Sequence, residues 1–198
     1  MSSQNNKKQT SIMNGILTQG NKQLIFTLST LALLLGCTTN VYSNKTQEPE
    51  ALTDANIAAI VVGANNIDIS AGKIALKRSD NKLVKDFAER MITDHTAVLN
   101  SAVALVTRLG VTPVNNDLVA TLAEQSNNHE ARLRTLSGHA FDKNYIDHEV
   151  AYHQAVIGVI EGQLIPSAQN KELKDTLISV LPAFRAHLEH SLMIQKQI

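Results

Sequence analysis

Apolar residues recur at intervals of three and four positions along most of the chain after residue 53, which is the spacing of amphipathic helices. The longest such pattern runs from Asn81 to Gly110. It predicts a single helix, because Gly110 tolerates a left-handed cap and Pro113 cannot extend the pattern. Asp94 and His95 fall inside the apolar series, so we expect this helix to bring a titratable pair to its buried face.

The same spacing predicts three more long helices, over residues 53–80, 141–163 and 171–196. Asp142 is the expected N-terminal cap of the second of these. Between residues 115 and 137 the pattern is half polar and predicts one or two short helices. Four long amphipathic helices with short connections favour an all-α, up-and-down four-helix bundle, with the additional short helix between the second and third main helices.

Three single residues carry expectations of their own. Gly63 and Gly72 lie inside the first predicted helix, where glycine costs about 1 kcal/mol relative to alanine. We therefore expect a neighbouring helix to approach closely at both positions. His129 lies among Asn and Glu residues in the half-polar segment, and we expect it to be a solvated surface residue.

Each main helix carries a possible metal ligand near its middle, on or beside the apolar stripe. These residues are Asp68, Asp94, His95, Glu149, His153 and His187. With a rise of about 1.5 Å per residue, all six positions could share one layer of the bundle. Imidazoles and carboxylates that converge in this way can bind a transition metal such as Fe, Zn or Cu. The Glu-x-x-His pair of di-iron bundles does not occur in the sequence.

Two interpretations of this layer are open, and the missing Glu-x-x-His pair favours the first. In the first, His95, His153 and His187 are core polar groups satisfied by carboxylates or backbone carbonyls, and they fix the packing register. In the second, their ring nitrogens meet at a common point, about 2.0 to 2.2 Å from a metal ion. An acid–base enzyme is a weaker third alternative, because a buried histidine beside a carboxylate can titrate near neutrality.

The N-terminal segment has the composition of a signal peptide. Three lysines precede the uncharged run 24–35, which is shorter than the roughly 20 apolar residues of a membrane-spanning helix. We therefore predict a signal peptide over residues 1–36. The residues Leu34-Leu35-Gly36-Cys37 resemble a bacterial lipoprotein signal. This resemblance implies a lipid on Cys37 and, because Thr38 does not look like a retention signal, an outer-membrane address facing the periplasm. The alternative is a free cysteine in an uncleaved anchor.

The rest of the chain divides into a tether and one domain. Residues 37–52 are polar, contain Pro49 and show no periodicity, so we predict a flexible tether before a bundle domain at 53–198. The first 36 residues hold three lysines and no acidic residue, so removing them shifts the formal charge from 0 to −3. No cluster of Lys or Arg remains, which argues against nucleic acid as a partner.

Several short motifs in order along the chain carry a family resemblance. They are Gly72 to Leu76, Val84 to Met91, Asp94 to Thr96, Phe141-Asp142 with Tyr145-Ile146, His153-Gln154, and Leu181-Pro182 with His187-Leu188. Together they resemble the bacterial family catalogued as domain of unknown function 4142, over residues 53–196. The resemblance implies a ferritin-like four-helix bundle in an exported or envelope-attached protein without an assigned activity.

These observations favour a non-enzymatic lipoprotein that faces the periplasm and is attached to the membrane through Cys37. Its bundle would bind a ligand, a protein partner or a second copy of the chain, or would buffer envelope stress. The alternative function is a ferritin-like metal-binding or redox protein that uses the six residues of the polar layer.

Overall fold

The computed structural model describes residues 52–198. The predicted signal peptide, Cys37 and all of the predicted tether except Leu52 lie outside this range. The helices are α1 (Asp54–Arg78), α2 (Lys82–Arg108), α3 (Asp117–Thr135), α4 (Gly138–Val159), the short α5 (Ile165–Ser167) and α6 (Lys171–Gln195), with a π-helical segment (Ile160–Leu164) between α4 and α5. Helices make up 86% of the described residues and no strand occurs among them, so the all-α prediction is confirmed.

The helices α1, α2, α4 and α6 form the bundle, and neighbours in it run antiparallel. Both α1 and α6 pack against α2 and against α4. Arg108 at the end of α2 pairs with Glu172 at the start of α6, and Ser79 after α1 bonds to Asp142 near the start of α4. The extra helix α3 returns the chain along the outside of α1. It is one continuous helix of 19 residues, longer than the short helix expected there.

Side-chain caps fix where most helices begin. Thr53 and Asn56 form a capping box at α1, and asparagine side chains cap α2, α3 and α6. The predicted cap at Asp142 is wrong, because α4 begins at Gly138 after Ser137. The Asp142 carboxylate is instead buried and accepts a 2.5 Å hydrogen bond from Ser79 Oγ. It therefore ties the turn between α1 and α2 to α4.

The apolar core consists of two clusters, one on each side of a polar layer. One cluster contains Ile57, Ile60, Leu105, Tyr152, Val156, Ile160, Leu164, Ala168, Leu173, Leu177 and Phe184. The other contains Ala71, Ala75, Val84, Phe87, Ala88, Met91, Leu133, Phe141, Tyr145, Ile146 and Ile194. The buried polar residues Asn65, Asp68, His95, Glu149, His153 and His187 lie where these two sets meet along the four helices, whereas Asp142 lies within the second cluster. Apolar packing at both ends therefore holds the polar layer in place.

The two glycines of α1 differ in their surroundings. A Cβ atom on Gly72 would lie 3.1 Å from the Ala88 carbonyl oxygen and 3.1 Å from Ile92 Cγ1, so α2 does approach closely there. At Gly63 the nearest atom would be Val119 Cγ1 at 3.8 Å, an ordinary contact. The expected close approach is confirmed at Gly72 and is wrong at Gly63.

By length and composition alone, α1 could cross a membrane, and it is the only helix among residues 52–198 that meets this test. More than half of its most apolar window is buried inside the bundle. It also carries the buried polar residues Asn65 and Asp68. Both features are those of a core helix.

Candidate metal centre in the bundle core

Three histidines from three helices meet in the polar layer. His95 of α2, His153 of α4 and His187 of α6 are exposed by 0%, 0% and 1%. The ring of His95 lies 5.7 Å from that of His153 and 5.3 Å from that of His187, centroid to centroid. The third pair, His153 and His187, is 5.4 Å apart. The three imidazoles therefore share one layer, as the helix positions indicated.

Each imidazole is held through one of its two nitrogens. The bonds are His95 Nδ1 to Asn65 Oδ1 at 2.9 Å, His153 Nδ1 to the Glu149 carbonyl oxygen at 2.9 Å, and His187 Nε2 to Asp94 Oδ2 at 2.8 Å. All three partners are oxygen acceptors, so the histidine nitrogen carries the hydrogen and donates. Asn65 Nδ2 donates to the Val61 carbonyl, which turns Asn65 Oδ1 toward His95. The lone pair of each neutral ring is therefore on the other nitrogen.

Those other nitrogens have no hydrogen-bond partner in the part of the chain that the structure describes. They are His95 Nε2, His153 Nε2 and His187 Nδ1, and all three atoms are buried. One possible ligand atom from each histidine lies within 4.8 Å of the other two. Tetrahedral ligands at 2.0 to 2.1 Å from a metal are about 3.4 Å apart, so the three rings would have to move inward to bind one ion. Satisfied histidines and metal-binding histidines are thus not exclusive interpretations, because each ring has two nitrogens.

Burial keeps these imidazoles uncharged. Burial, followed by the nearby His153 and His187, lowers the pKa of His95 to about 3. Burial likewise lowers the pKa of His153 to about 4. The pKa of His187 is also lowered by burial, against the opposing effect of Asp94. At neutral pH all three rings are in the form that binds a metal ion.

Asp94 differs from its expected position on the buried face. Adjacent helix residues point about 100° apart, so Asp94 and His95 cannot both face the core. The Asp94 side chain is 37% exposed and bonds to His187 and to Arg90. Burial raises the pKa of this carboxyl, but the bonds to His187 and Arg90 outweigh burial and hold the pKa below its usual value. Asp94 thus connects the buried ring of His187 with solvent.

Two carboxyl groups are buried next to the histidines. Asp68 of α1 and Glu149 of α4 are each exposed by only 1%. Asp68 Oδ2 lies 3.4 Å from His95 Nδ1, and Glu149 Oε2 lies 3.5 Å from His153 Nδ1. Burial raises the pKa of Asp68 well above its usual value and raises that of Glu149 to about 8. The structure therefore brings all six predicted residues together, with Asp94 at the edge.

Sequence reasoning missed Asn65 and Tyr145. Asn65 lies three positions before Asp68 on α1, and Tyr145 lies four before Glu149 on α4, which itself lies four before His153. Residues three or four apart share one helix face, so this spacing could have identified both.

A stacked histidine pair between α3 and α4 was also missed. The rings of His129 and His148 stack with centroids 3.5 Å apart and planes inclined by 16°. The expectation that His129 is a solvated residue is wrong, because its Nε2 is buried and burial lowers its pKa to about 4. The half-polar sequence around His129 gave no sign that a second ring would cover it.

These features define an all-α bundle whose core holds a layer of histidines, carboxyl groups and one amide. The chain belongs to the family described as Domain of unknown function (DUF4142), which matches residues 41–194. The resemblance drawn from the sequence motifs is thereby confirmed. No curated protein and no solved structure matches the chain. The family description names no activity, so the function has to be argued from the polar layer.

Proposed function

We propose that this protein binds one transition metal ion through His95 Nε2, His153 Nε2 and His187 Nδ1. One observation supports this proposal most strongly: three rings that share one layer each have a buried nitrogen without a partner, while the other nitrogen of each ring is held by an oxygen. Histidines that bind metals characteristically donate their other N–H to a carboxylate or carbonyl, which fixes the ring and its tautomer. Asn65, Glu149 and Asp94 supply these acceptors.

The alternative, a layer that only fixes packing, is energetically less favourable. Leaving one buried polar atom without a hydrogen bond costs about 1 to 3 kcal/mol, and this layer would bear that cost at three histidine nitrogens. Leucine or phenylalanine at the same positions would fill the space without it. A metal ion would use all three nitrogens at once.

The set of ligands limits which metal ions can bind and what the site can do. Three neutral imidazoles suit Zn, Cu or Fe. Three protein ligands would leave a fourth coordination position for water or another group. Because the three rings are exposed by at most 1%, a substrate could not reach that position in this conformation. We therefore propose metal retention rather than catalysis.

The proposed location is the bacterial envelope. The N-terminal charge pattern, the uncharged run 24–35 and Cys37 support a lipoprotein attached to the outer membrane and facing the periplasm. The lone cysteine excludes an internal disulfide, so the domain has to be stabilised by packing and, on this proposal, by its metal ion.

The test is the metal content of the full chain, purified without a histidine tag and dialysed against metal-free buffer. We expect about one Zn, Cu or Fe per chain by elemental analysis, and loss of this metal in His95→Gln and His187→Leu. His139→Gln is the matched control, since His139 is exposed and lies outside the layer. Circular dichroism checks that each variant is folded. A wild-type chain that retains no more metal than the folded His187→Leu variant would refute the proposal.

A further inference from the structure

An open apolar groove lies where α1, α2 and the loop after α2 meet. Its volume is about 440 Å³, and the eight residues that line it are all uncharged. They are Val62, Val103, Val106, Thr107, Gly110, Val111, Thr112 and Pro113, and we call this surface the valine groove. Val114 follows it in the same loop and is 52% exposed, while Val103 is 45% exposed. A continuous apolar surface of this kind, unlike single exposed apolar side chains, indicates contact with another molecule.

The valine groove lies at the end of the bundle where the described residues begin. The backbone N–H of Val114 donates a 3.0 Å hydrogen bond to the carbonyl oxygen of Ala55, in the first turn of α1. Asn56 Nδ2 donates to the Val114 carbonyl oxygen at 3.1 Å. Cys37 and Leu52 are 15 positions apart in the sequence, which limits their separation to about 50 Å. A lipid on Cys37 would therefore keep this end of the bundle near the membrane.

Charged side chains at this end of the bundle are compensated within the protein. Arg108 Nη1 lies 2.6 Å from Glu172 Oε2. The Asp54 carboxylate accepts hydrogen bonds from the backbone N–H groups of Gln169 and Asn170, at 2.9 and 3.0 Å. These charges need no partner from outside the protein, so the apolar side chains decide what this end contacts.

We propose that the valine groove and Val114 contact the lipid surface to which Cys37 attaches the chain. The proposal rests on the lipoprotein attachment proposed above and is independent of the metal ion. Apolar side chains that enter the boundary between headgroups and acyl chains gain hydrophobic free energy. Because the anchor and the groove belong to one chain, their effective concentration at the membrane is of millimolar order, so a small apolar area is sufficient.

Tryptophan fluorescence measures this contact, because the chain contains no tryptophan of its own. Val114→Trp introduces a single reporter beside the groove. Met193→Trp is the matched control, since Met193 is 55% exposed but lies near the end of α6, at the opposite end of the bundle. Each full-chain variant is purified in detergent and returned to vesicles of phosphatidylethanolamine and phosphatidylglycerol with brominated acyl chains. We expect blue-shifted emission and roughly twofold stronger quenching for Val114→Trp, because an indole at the membrane interface lies at the headgroup level.

A charge introduced into the groove tests the same contact without moving the reporter. Val103→Glu, combined with Val114→Trp, should abolish most of the quenching, because a carboxylate would have to leave water. Ile178→Glu, at a position of α6 that is 49% exposed and lies outside the groove, should leave the quenching unchanged. Circular dichroism checks that both proteins are folded.

Equal quenching of Val114→Trp and Met193→Trp, or quenching that Val103→Glu leaves unchanged, would overturn the proposed contact. A blue shift that appears without vesicles and grows with protein concentration would also overturn it, because a second copy of the chain would then cover the groove.

Mass spectrometry of the N-terminal peptide tests the lipid on Cys37 separately. If the chain carries no lipid, a maleimide lipid coupled to Cys37, the only cysteine of the chain, supplies the attachment. Stronger quenching of Val114→Trp in that protein would support the lipid-facing groove even though the lipoprotein attachment fails. Equal quenching of the two reporters there would overturn the groove as well.

Discussion

The Nε2 atom of His187 lies 2.8 Å from Oδ2 of Asp94, and this bond fixes which nitrogen of the ring faces the interior. Asp94 belongs to α2 and His187 to α6, so the contact also joins two helices. His187 is the one histidine of the three that is held by a carboxylate at the protein surface. This pair is therefore the point at which the buried layer is connected to solvent.

Removing the Asp94 carboxylate should weaken metal binding without breaking the bundle. Asp94→Ala leaves His187 without its acceptor, and loss of such a partner typically costs 10- to 100-fold in metal affinity. Asp94→Asn keeps an acceptor oxygen and should cost less. Asp86→Ala, which removes an exposed carboxylate of the same helix that pairs with Lys82, is the control. Competition with a chelator measures the affinities. Equal affinity in Asp94→Ala and Asp86→Ala would exclude a role for the bond.

The metal-free chain should be most stable near pH 6.5. The buried histidines have folded-state pKa values below the unfolded value of about 6.5, so the unfolded chain binds more protons in acid and stability falls below that pH. Glu149 has a folded-state pKa raised from 4.5 to about 8, so its contribution falls as pH rises between these two values and, above pH 6.5, is no longer offset by the histidines. Urea unfolding between pH 5 and 9 measures the fall in the free energy of unfolding on both sides of this maximum.

The stacked rings of His129 and His148 allow the loss of stability in acid to be tested away from the proposed metal centre. His129 has a pKa lowered to about 4 by burial, so His129→Gln removes one proton from the difference between the folded and unfolded chains. The slope of unfolding free energy between pH 5 and 6 should fall by up to about 1.4 kcal/mol per pH unit. His139→Gln, at an exposed site, should leave the slope unchanged. An identical slope in both variants would contradict the burial of His129.

The two glycines of α1 should respond to alanine in opposite directions. Gly72→Ala places a methyl group 3.1 Å from the Ala88 carbonyl oxygen, and such overpacking costs more than the gain in helix propensity. We expect a net loss of about 1 kcal/mol. Gly63→Ala has room at 3.8 Å and should gain roughly 0.5 to 1 kcal/mol. Unfolding free energies in urea decide this, and equal effects at both sites would refute the difference in helix approach.

The sequence was sufficient to predict the four long helices because their periodicity depends only on which face is buried. The capping residues were harder to assign. The local sequence suggests that Asp142 caps a helix, but its carboxylate accepts a hydrogen bond from Ser79, 63 positions earlier. Long-range side-chain contacts of this kind cannot be recognised from the local periodicity of the sequence.

The histidines and carboxyl groups of the polar layer could also be predicted, but Asn65 and the roles of the individual atoms could not. His95, His153 and His187 lie mid-helix in the apolar pattern, which is enough to place them together. Which ring nitrogen is free depends on acceptors such as Asn65, 30 positions from His95, and on the Glu149 backbone carbonyl. Only the folded structure identifies these partners, and the proposed metal centre depends on them.

The predicted lipid anchor can be tested independently of the metal. Metabolic labelling with a fatty-acid analogue should tag the protein and place it in the membrane fraction. Cys37→Ser should abolish the label and release the domain, because stable anchoring takes at least two acyl signals and the substitution removes their attachment site. A Cys37→Ser protein that is labelled as strongly as the wild type would contradict a lipid on Cys37.

X-ray absorption at the metal edge of the purified full chain tests the histidine site most directly. We predict three imidazole nitrogens at about 2.0 to 2.1 Å from one Zn, Cu or Fe, with the multiple scattering typical of histidine rings. In the folded His187→Leu variant this signal should be lost or reduced to two nitrogens. A metal surrounded by oxygen alone, or a spectrum that His187→Leu leaves unchanged, would contradict the assignment of the three histidines.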